Sequence, residues 1–116
     1  MAKNLFILND PPYGTERSYN GLRLARKLLE SQEEVRVFLM GDAAACAAAG
    51  QKVPQGYYNI GDMLAAVIRR KGDVAVCGTC MDARGMTEER LVPGAGRGTM
   101  EILTEWTEWA DKTLVF

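Results

Sequence analysis

Short apolar runs alternate along this chain with longer amphipathic segments, and no hairpin signal joins one run to the next. The runs are Lys3 to Leu8, Val35 to Met40 and Val74 to Val76. Runs of this length are typical of strands buried on both faces of a sheet. Strands separated by helices are joined by right-handed crossovers, which makes the sheet parallel. We therefore predict a single α/β domain over residues 1–116, a three-layer α/β/α sandwich with a mostly parallel sheet of four to five strands.

The segments between these runs predict helices with polar residues at their starts. We expect four capping residues, namely Thr15, Asp42, Asn59 and Thr99. Asp42 would cap an alanine-rich helix from Ala43 to Ala49. The glycine-rich tract 94–98 lacks the spacing of a dinucleotide-binding fingerprint, so we interpret it as a loop. Leu114 to Phe116 is expected to be a parallel strand at the sheet edge.

Composition excludes several classes of protein. The 116 residues are 47% hydrophobic and 25% charged, which is ordinary for a globular domain, and the net charge is −1. Nothing in this balance favours binding to DNA or to an anionic membrane. No apolar stretch approaches the roughly 20 residues that span a bilayer, and the first residues lack the pattern of a signal peptide. We therefore expect a cytoplasmic protein.

The chain places its chemistry where the third strand ends, in the sequence Cys77-Gly78-Thr79-Cys80. Open parallel sheets usually bind their ligands at the carboxyl ends of the strands. Three cysteines, an odd number, argue against a disulfide framework. The third, Cys46, lies inside a predicted helix, and we interpret it as a small buried apolar residue.

Several kinds of chemistry are compatible with two cysteines on a loop. A structural zinc site needs four ligands, and the chain has no histidine, so we predict no metal and no cofactor. A Cys-x-x-Cys redox protein is possible, although residues 81–85 do not predict the helix that would activate the first thiol. Sulfur transfer through a persulfide requires an exposed thiol of lowered pKa, and Arg84 could stabilise its anion.

Three segments, residues 9–25, 77–85 and 111–116, together resemble the DsrE/DsrF-like family over essentially the whole chain. The resemblance implies a compact α/β fold and assembly into a homotrimer or homohexamer. Better understood members relay sulfur as a cysteine persulfide in tRNA thiolation or sulfur oxidation, so a sulfur donor or acceptor protein is an implied partner. The resemblance places Cys77 at the sulfur-accepting position and makes Cys80 an additional thiol.

The first loop also follows the end of a strand, so we expect it to form the opposite wall of the same crevice. Its candidate supporting residues are Asp10, Tyr13 and Glu16, although Glu16 would also suit the start of a helix. Two functions remain open. The protein is either a sulfur carrier or sulfurtransferase-like enzyme that uses Cys77 or Cys80, or a module that binds a small ligand or partner without catalysis.

Two further expectations concern exposure. Cys80 lies farther into the loop than Cys77, so we expect it to be the more exposed thiol, and we expect at least one of the two to have a pKa below about 8.5. Trp106 and Trp109 share a face of the last helix. Either one ring fills the core while the other anchors a subunit interface, or both rings lie in the core.

Overall fold

The computed structural model describes residues 1–116 as a five-stranded sheet in which every pair of neighbouring strands is parallel. The strands, whose order across the sheet is β4-β3-β2-β1-β5, are β1 (Lys3–Leu8), β2 (Glu34–Leu39), β3 (Asp73–Cys77), β4 (Ala95–Gly98) and β5 (Lys112–Val115). The α-helices are α1 (Arg17–Glu30), α2 (Ile60–Arg69), α3 (Gly78–Asp82) and α4 (Met100–Trp109). Two 3-10 helices span Gly41–Ala47 and Glu88–Arg90. The predicted parallel α/β fold is confirmed.

The two faces of the sheet are covered unequally. Side chains alternate between the faces along each strand. Phe6 and Leu8 therefore join the larger core beneath α1, α2 and the first 3-10 helix, whereas Leu5 joins a small core that includes Leu103 of α4. The longest helix, α1, has 14 residues, and no helix has the length and apolar character needed to cross a membrane.

Two of the four predicted helix caps are confirmed. The side chain of Asn59 accepts a hydrogen bond from the Asp62 N–H at 3.0 Å, and Thr99 accepts one from the Ile102 N–H at 3.2 Å. Thr15 does not hold the predicted N-cap position, since α1 begins at Arg17 and Glu16 is its N-cap residue, without a side-chain cap. The Thr15 hydroxyl donates to Asp10 at 2.6 Å, and its oxygen accepts from the Arg17 N–H at 3.4 Å.

The alanine-rich segment differs from its prediction in type and length. It forms a 3-10 helix that ends at Ala47, and Asp42 makes no capping hydrogen bond. The following residues are held by another part of the chain, because the Ala49 N–H donates to the Arg90 carbonyl at 2.8 Å and Ala48 bridges to Leu91. Tertiary pairing therefore overrides the helix propensity of alanine here.

The glycine-rich tract is not a loop but contains strand β4, which pairs with β3 in the register Cys77 to Gly98. Glycine is depleted in strands, so the sequence gives no strand signal at this position. Packing explains the glycine. A β-carbon on Gly98 would lie 2.8 Å from the Phe38 ring and 3.2 Å from the Ala75 side chain. The predicted last strand is confirmed, since β5 pairs with β1 at the opposite edge.

The two tryptophans of α4 are both half-buried. Trp106 meets Phe38 edge-on, with ring centroids 6.1 Å apart, and so packs on the small core as expected. The Arg36 guanidinium lies over the Trp109 ring at 4.0 Å from its centroid. A cation thus covers part of the ring that could anchor a subunit interface.

Candidate functional site

Cys77 ends β3, and helix α3 begins at the next residue. The expectation that no helix follows the first thiol is therefore wrong. One helical turn brings the chain back toward Cys77, so that its Sγ accepts a hydrogen bond from the Cys80 N–H at 3.4 Å. The two cysteines form a disulfide with their Cα atoms 5.2 Å apart. The site therefore holds two sulfurs within bonding reach of each other.

The two sulfurs lie toward different layers of the fold. The alternation along β3 puts Cys77 on the same face as Ala75, against the small core beneath α4. Cys80 packs against the larger core on the other face. Both residues are half-buried.

A groove of about 310 Å³ opens beside Cys77 and does not include Cys80. Its walls come from β2, β3, α3, β4 and the start of α4, and they include Met40, Thr79 and Arg97. Gly98 lies in the groove directly opposite Cys77 in the strand register. A small molecule or a partner's side chain that enters this groove therefore reaches Cys77 first.

Arg97 is a site residue that the sequence analysis missed. Its guanidinium lies over Gly78, so close that a β-carbon there would be 2.6 Å from Nε. It also donates two hydrogen bonds of 2.9 Å to the Asp82 carboxylate at the end of α3. These hydrogen bonds lower the pKa of Asp82. Arg97 was not predicted as a site residue because residues 94–98 were interpreted as a loop. Had β4 been predicted as a neighbour of β3, Arg97 would have been placed beside the end of β3.

Arg84 was expected to stabilise a thiolate, but its guanidinium contacts neither sulfur directly. It donates to the Cys80 carbonyl at 3.0 Å and to the Asp42 carboxylate at 2.6 Å. Asp42 follows Gly41, whose backbone N–H donates to the Cys80 Sγ at 3.2 Å. Arg84 thus ties the start of the first 3-10 helix to α3 and helps to hold Gly41 against the second sulfur.

None of the three candidate residues of the first loop lines the groove beside Cys77. Asp10 accepts hydrogen bonds from Thr15 and from the Arg17 Nε at 2.7 Å, and these contacts lower the pKa of its carboxyl. Tyr13 packs against the tyrosines of the loop before α2. Glu16 is exposed at the start of α1.

Cys46 is fully buried, as predicted. Its thiol lies 3.7 Å from the Asp10 carbonyl, and burial raises its pKa to about 12. It is therefore not a reactive thiol in the folded protein. No group of three or more cysteine, aspartate or glutamate side chains is arranged to hold a metal ion.

The family model described as the DsrE/DsrF-like family matches residues 2–116. The chain belongs to this family. Protein YchN of Escherichia coli strain K12 is 41% identical over 118 residues, with 100% of both sequences covered. An uncharacterised protein of Methanopyrus kandleri, MK0008, is 34% identical over 110 residues, which cover 95% of this chain and 90% of that protein. The resemblance found in the three sequence segments is confirmed.

Solved structures agree with this membership. The crystal structure of YchN from E. coli superimposes with a TM-score of 0.94 and covers 100% of both chains. A protein of unknown function from Methanobacterium thermoautotrophicum, MTH1491, has a TM-score of 0.74 at 12% identity, covering 95% of this chain and 96% of that one. The second likeness shows the shared fold alone. Membership of this family suggests a role related to sulfur relay.

Proposed function

We propose that this protein carries sulfane sulfur as a persulfide on the Cys77 and Cys80 pair, as one step of a sulfur relay. Family membership supports the class of function. The observation that carries the assignment is the meeting of two thiols at the carboxyl end of β3, one of them in an open groove. A relay protein needs such a thiol within reach of a donor and an acceptor.

Loading requires the reduced dithiol. The Cys77 thiolate attacks the outer sulfur of a donor persulfide. The donor's S–S bond breaks, a new S–S bond forms on Cys77, and the donor thiolate leaves. An acceptor thiolate can then attack the same outer sulfur and regenerate the Cys77 thiolate, so the transfer consumes no external oxidant or reductant.

Cys80 limits how long the sulfur is held. Its thiolate lies within bonding reach of the Cys77 Sγ and can attack it, which forms the Cys77–Cys80 disulfide and releases hydrosulfide. In this step the two cysteines are oxidised and the sulfane sulfur is reduced. An external thiol must reduce the disulfide before the next loading.

Intact mass spectrometry of the reduced protein after incubation with a polysulfide donor tests this function. We expect the Cys80→Ser variant to gain one sulfur atom and keep it, because it cannot form the disulfide. We expect Cys77→Ser to gain none, because the groove opens on Cys77. Cys46→Ser is the matched control and should behave like the parent protein. If both single variants and the double variant respond alike, neither thiol is the acceptor, and ligand binding without catalysis becomes the better assignment.

Thiol–disulfide exchange is a second candidate function, favoured by one observation. Helix α3 begins directly after Cys77 and directs the Cys80 N–H at its sulfur, which is an arrangement that stabilises a thiolate. A redox protein would transfer electrons to a substrate disulfide without gaining a sulfur atom. This function would be favoured over the relay if the parent protein reduces a model disulfide without gaining mass. Both single variants should then lose that activity.

We also propose that the chain assembles as a homotrimer or homohexamer. The face of the sheet that α4 covers supports this proposal, because this single helix covers a core of only four buried residues. Apolar side chains also remain exposed on this part of the molecule, including Val115 at 66% and Met100 at 61%. A small domain gains stability by burying such surface between subunits.

A further inference from the structure

All four tyrosines of the chain meet in one cluster at the carboxyl edge of the sheet. The rings of Tyr57 and Tyr58 stack with centroids 4.6 Å apart, and Tyr58 stacks on Tyr19 at 4.2 Å. Tyr13 lies against the same pair, 5.6 Å from Tyr58. Tyr13, Tyr19 and Tyr58 pack against the larger core, whereas Tyr57 does not and is 49% exposed.

A small concave site lies on this cluster, and we name it the aromatic cup. It has a volume of about 270 Å³ and is lined by Gly14, Thr15, Glu16, Tyr57 and Tyr58. The aromatic cup and the groove beside Cys77 share no lining residue.

The cup is held open by hydrogen bonds beneath it. The Tyr58 hydroxyl donates to the Thr15 carbonyl at 3.3 Å, which fixes the loop before α2 against the first loop. The Tyr13 hydroxyl donates to Gln51 and accepts from the Ile60 N–H at 3.2 Å. A ligand therefore meets a formed surface and does not bear the entropic cost of ordering it.

Glu16 supplies the charge of the cup. Its carboxylate does not cap α1, and none of the molecule's ion pairs includes it. The adjacent cation, Arg17, is occupied by Asp10 at 2.7 Å. An unpaired carboxylate beside the exposed Tyr57 ring attracts an ammonium or guanidinium group, by charge and by cation–π attraction.

We infer that the aromatic cup binds a lysine or arginine side chain presented by a partner protein. Sites for free small molecules usually enclose about 300–1,000 Å³ and bury most of the ligand. This cup is smaller than that, its lining comprises five residues, and Tyr57 stands open to solvent at its rim. When the cation belongs to a partner protein, contacts between the two proteins outside the cup supply further binding free energy. Tyrosines are common at the centres of such interfaces. The inference does not depend on the proposed sulfur chemistry.

The test is an NMR titration of isotopically labelled full-length protein with Nα-acetyl-lysine methylamide. We expect chemical-shift changes that saturate and that centre on residues 14–16 and 57–58. The uncharged norleucine analogue should produce no saturating change. Glu16→Gln and Tyr57→Leu should each weaken binding of the lysine probe by about threefold or more, since the charge and the ring face both contribute. Glu108→Gln, which changes an exposed carboxylate on α4, is the matched control and should bind like the parent protein.

Three outcomes would overturn the inference. One is that the norleucine analogue changes the chemical shifts of the same residues as strongly as the lysine probe does. The cup would then bind an apolar side chain and would not recognise the charge. Another is unchanged lysine binding in Glu16→Gln and Tyr57→Leu. The last is the absence of any saturating change with the lysine probe. Saturation by tetramethylammonium in that case would assign the cup to a free small cation.

Discussion

The three cysteines divide into one buried thiol and one pair at the surface, and this division predicts their reactivity. Cys46 is fully buried with a pKa raised to about 12, so it contains almost no thiolate at neutral pH. We expect a variant with serine at positions 77 and 80 to resist alkylation by iodoacetamide until it unfolds. Modification should then follow the denaturant transition recorded by circular dichroism. Rapid alkylation of the folded variant would show that the thiol is accessible.

Asp10 is a residue whose contribution to stability depends on pH. Hydrogen bonds from Thr15 and Arg17 lower its pKa below the ordinary value of 3.8, so folding favours the ionised form. The stability it contributes is therefore complete above 3.8 and is lost as the pH falls through the lower pKa of the folded state. We expect Asp10→Asn to have a smaller free energy of unfolding than the parent protein at neutral pH.

The difference between the parent protein and Asp10→Asn should shrink as the pH is lowered below 3.8. Denaturant titrations at a series of pH values measure it directly. A difference that stays the same at every pH would mean that the carboxylate charge has no part in holding the first loop to α1.

At the scale of single elements, strand β4 offers a matched pair of glycines. A β-carbon on Gly98 would lie 2.8 Å from the Phe38 ring, whereas one on Gly96 would meet nothing within 4 Å. We expect Gly98→Ala to lower the free energy of unfolding by about 1–3 kcal/mol through overpacking. Gly96→Ala should change it by less than about 0.5 kcal/mol. Equal effects of the two substitutions in urea denaturation would contradict this packing argument.

The same strand shows where sequence-based prediction fails. The runs that form β1, β2 and β3 are predictable because apolar, β-branched residues leave a strong pattern. Ala95, Gly96, Arg97 and Gly98 leave none, since their strand exists through pairing with β3 and through close packing on Phe38. Because β4 was not predicted, the position of Arg97 beside the end of β3 was not predicted either.

Helix starts and site residues show a similar division. Asn59 and Thr99 were predictable because each cap is a local hydrogen bond to a residue three positions later. Thr15 was not, because its hydroxyl bridges the Asp10 carboxylate, five positions earlier, and the Arg17 N–H, while Glu16 takes the N-cap position. The thiol pair was predictable from the end of a buried run, but the short helix α3 and the contact of Gly41 with Cys80 depend on how β2 and β3 end side by side.

For the whole molecule, the testable property is assembly. The small core beneath α4 and the exposed Val115 favour burial between subunits, so we expect light scattering at micromolar concentration to give the mass of a trimer or a multiple of it. Trp109→Ala should shift the distribution toward smaller species, because this half-buried ring lies on the helix that we propose to border the interface. Tyr57→Leu, on the separate aromatic cup, should leave the mass unchanged. A monomeric parent protein would contradict the proposed assembly.

The position of β5 beside β1 has a consequence for biosynthesis. The register joins Asn4 to Lys112 and Phe6 to Leu114, and Phe116 stacks on the Phe6 ring. A ribosome therefore synthesises β5, the partner of β1, only after the residues of the other four strands. Until then one side of β1 presents unpaired backbone amides and carbonyls to other nascent chains, which is a template for aggregation. For this protein, the interval of greatest exposure to chaperones is the time between the emergence of β1 from the exit tunnel and the emergence of β5.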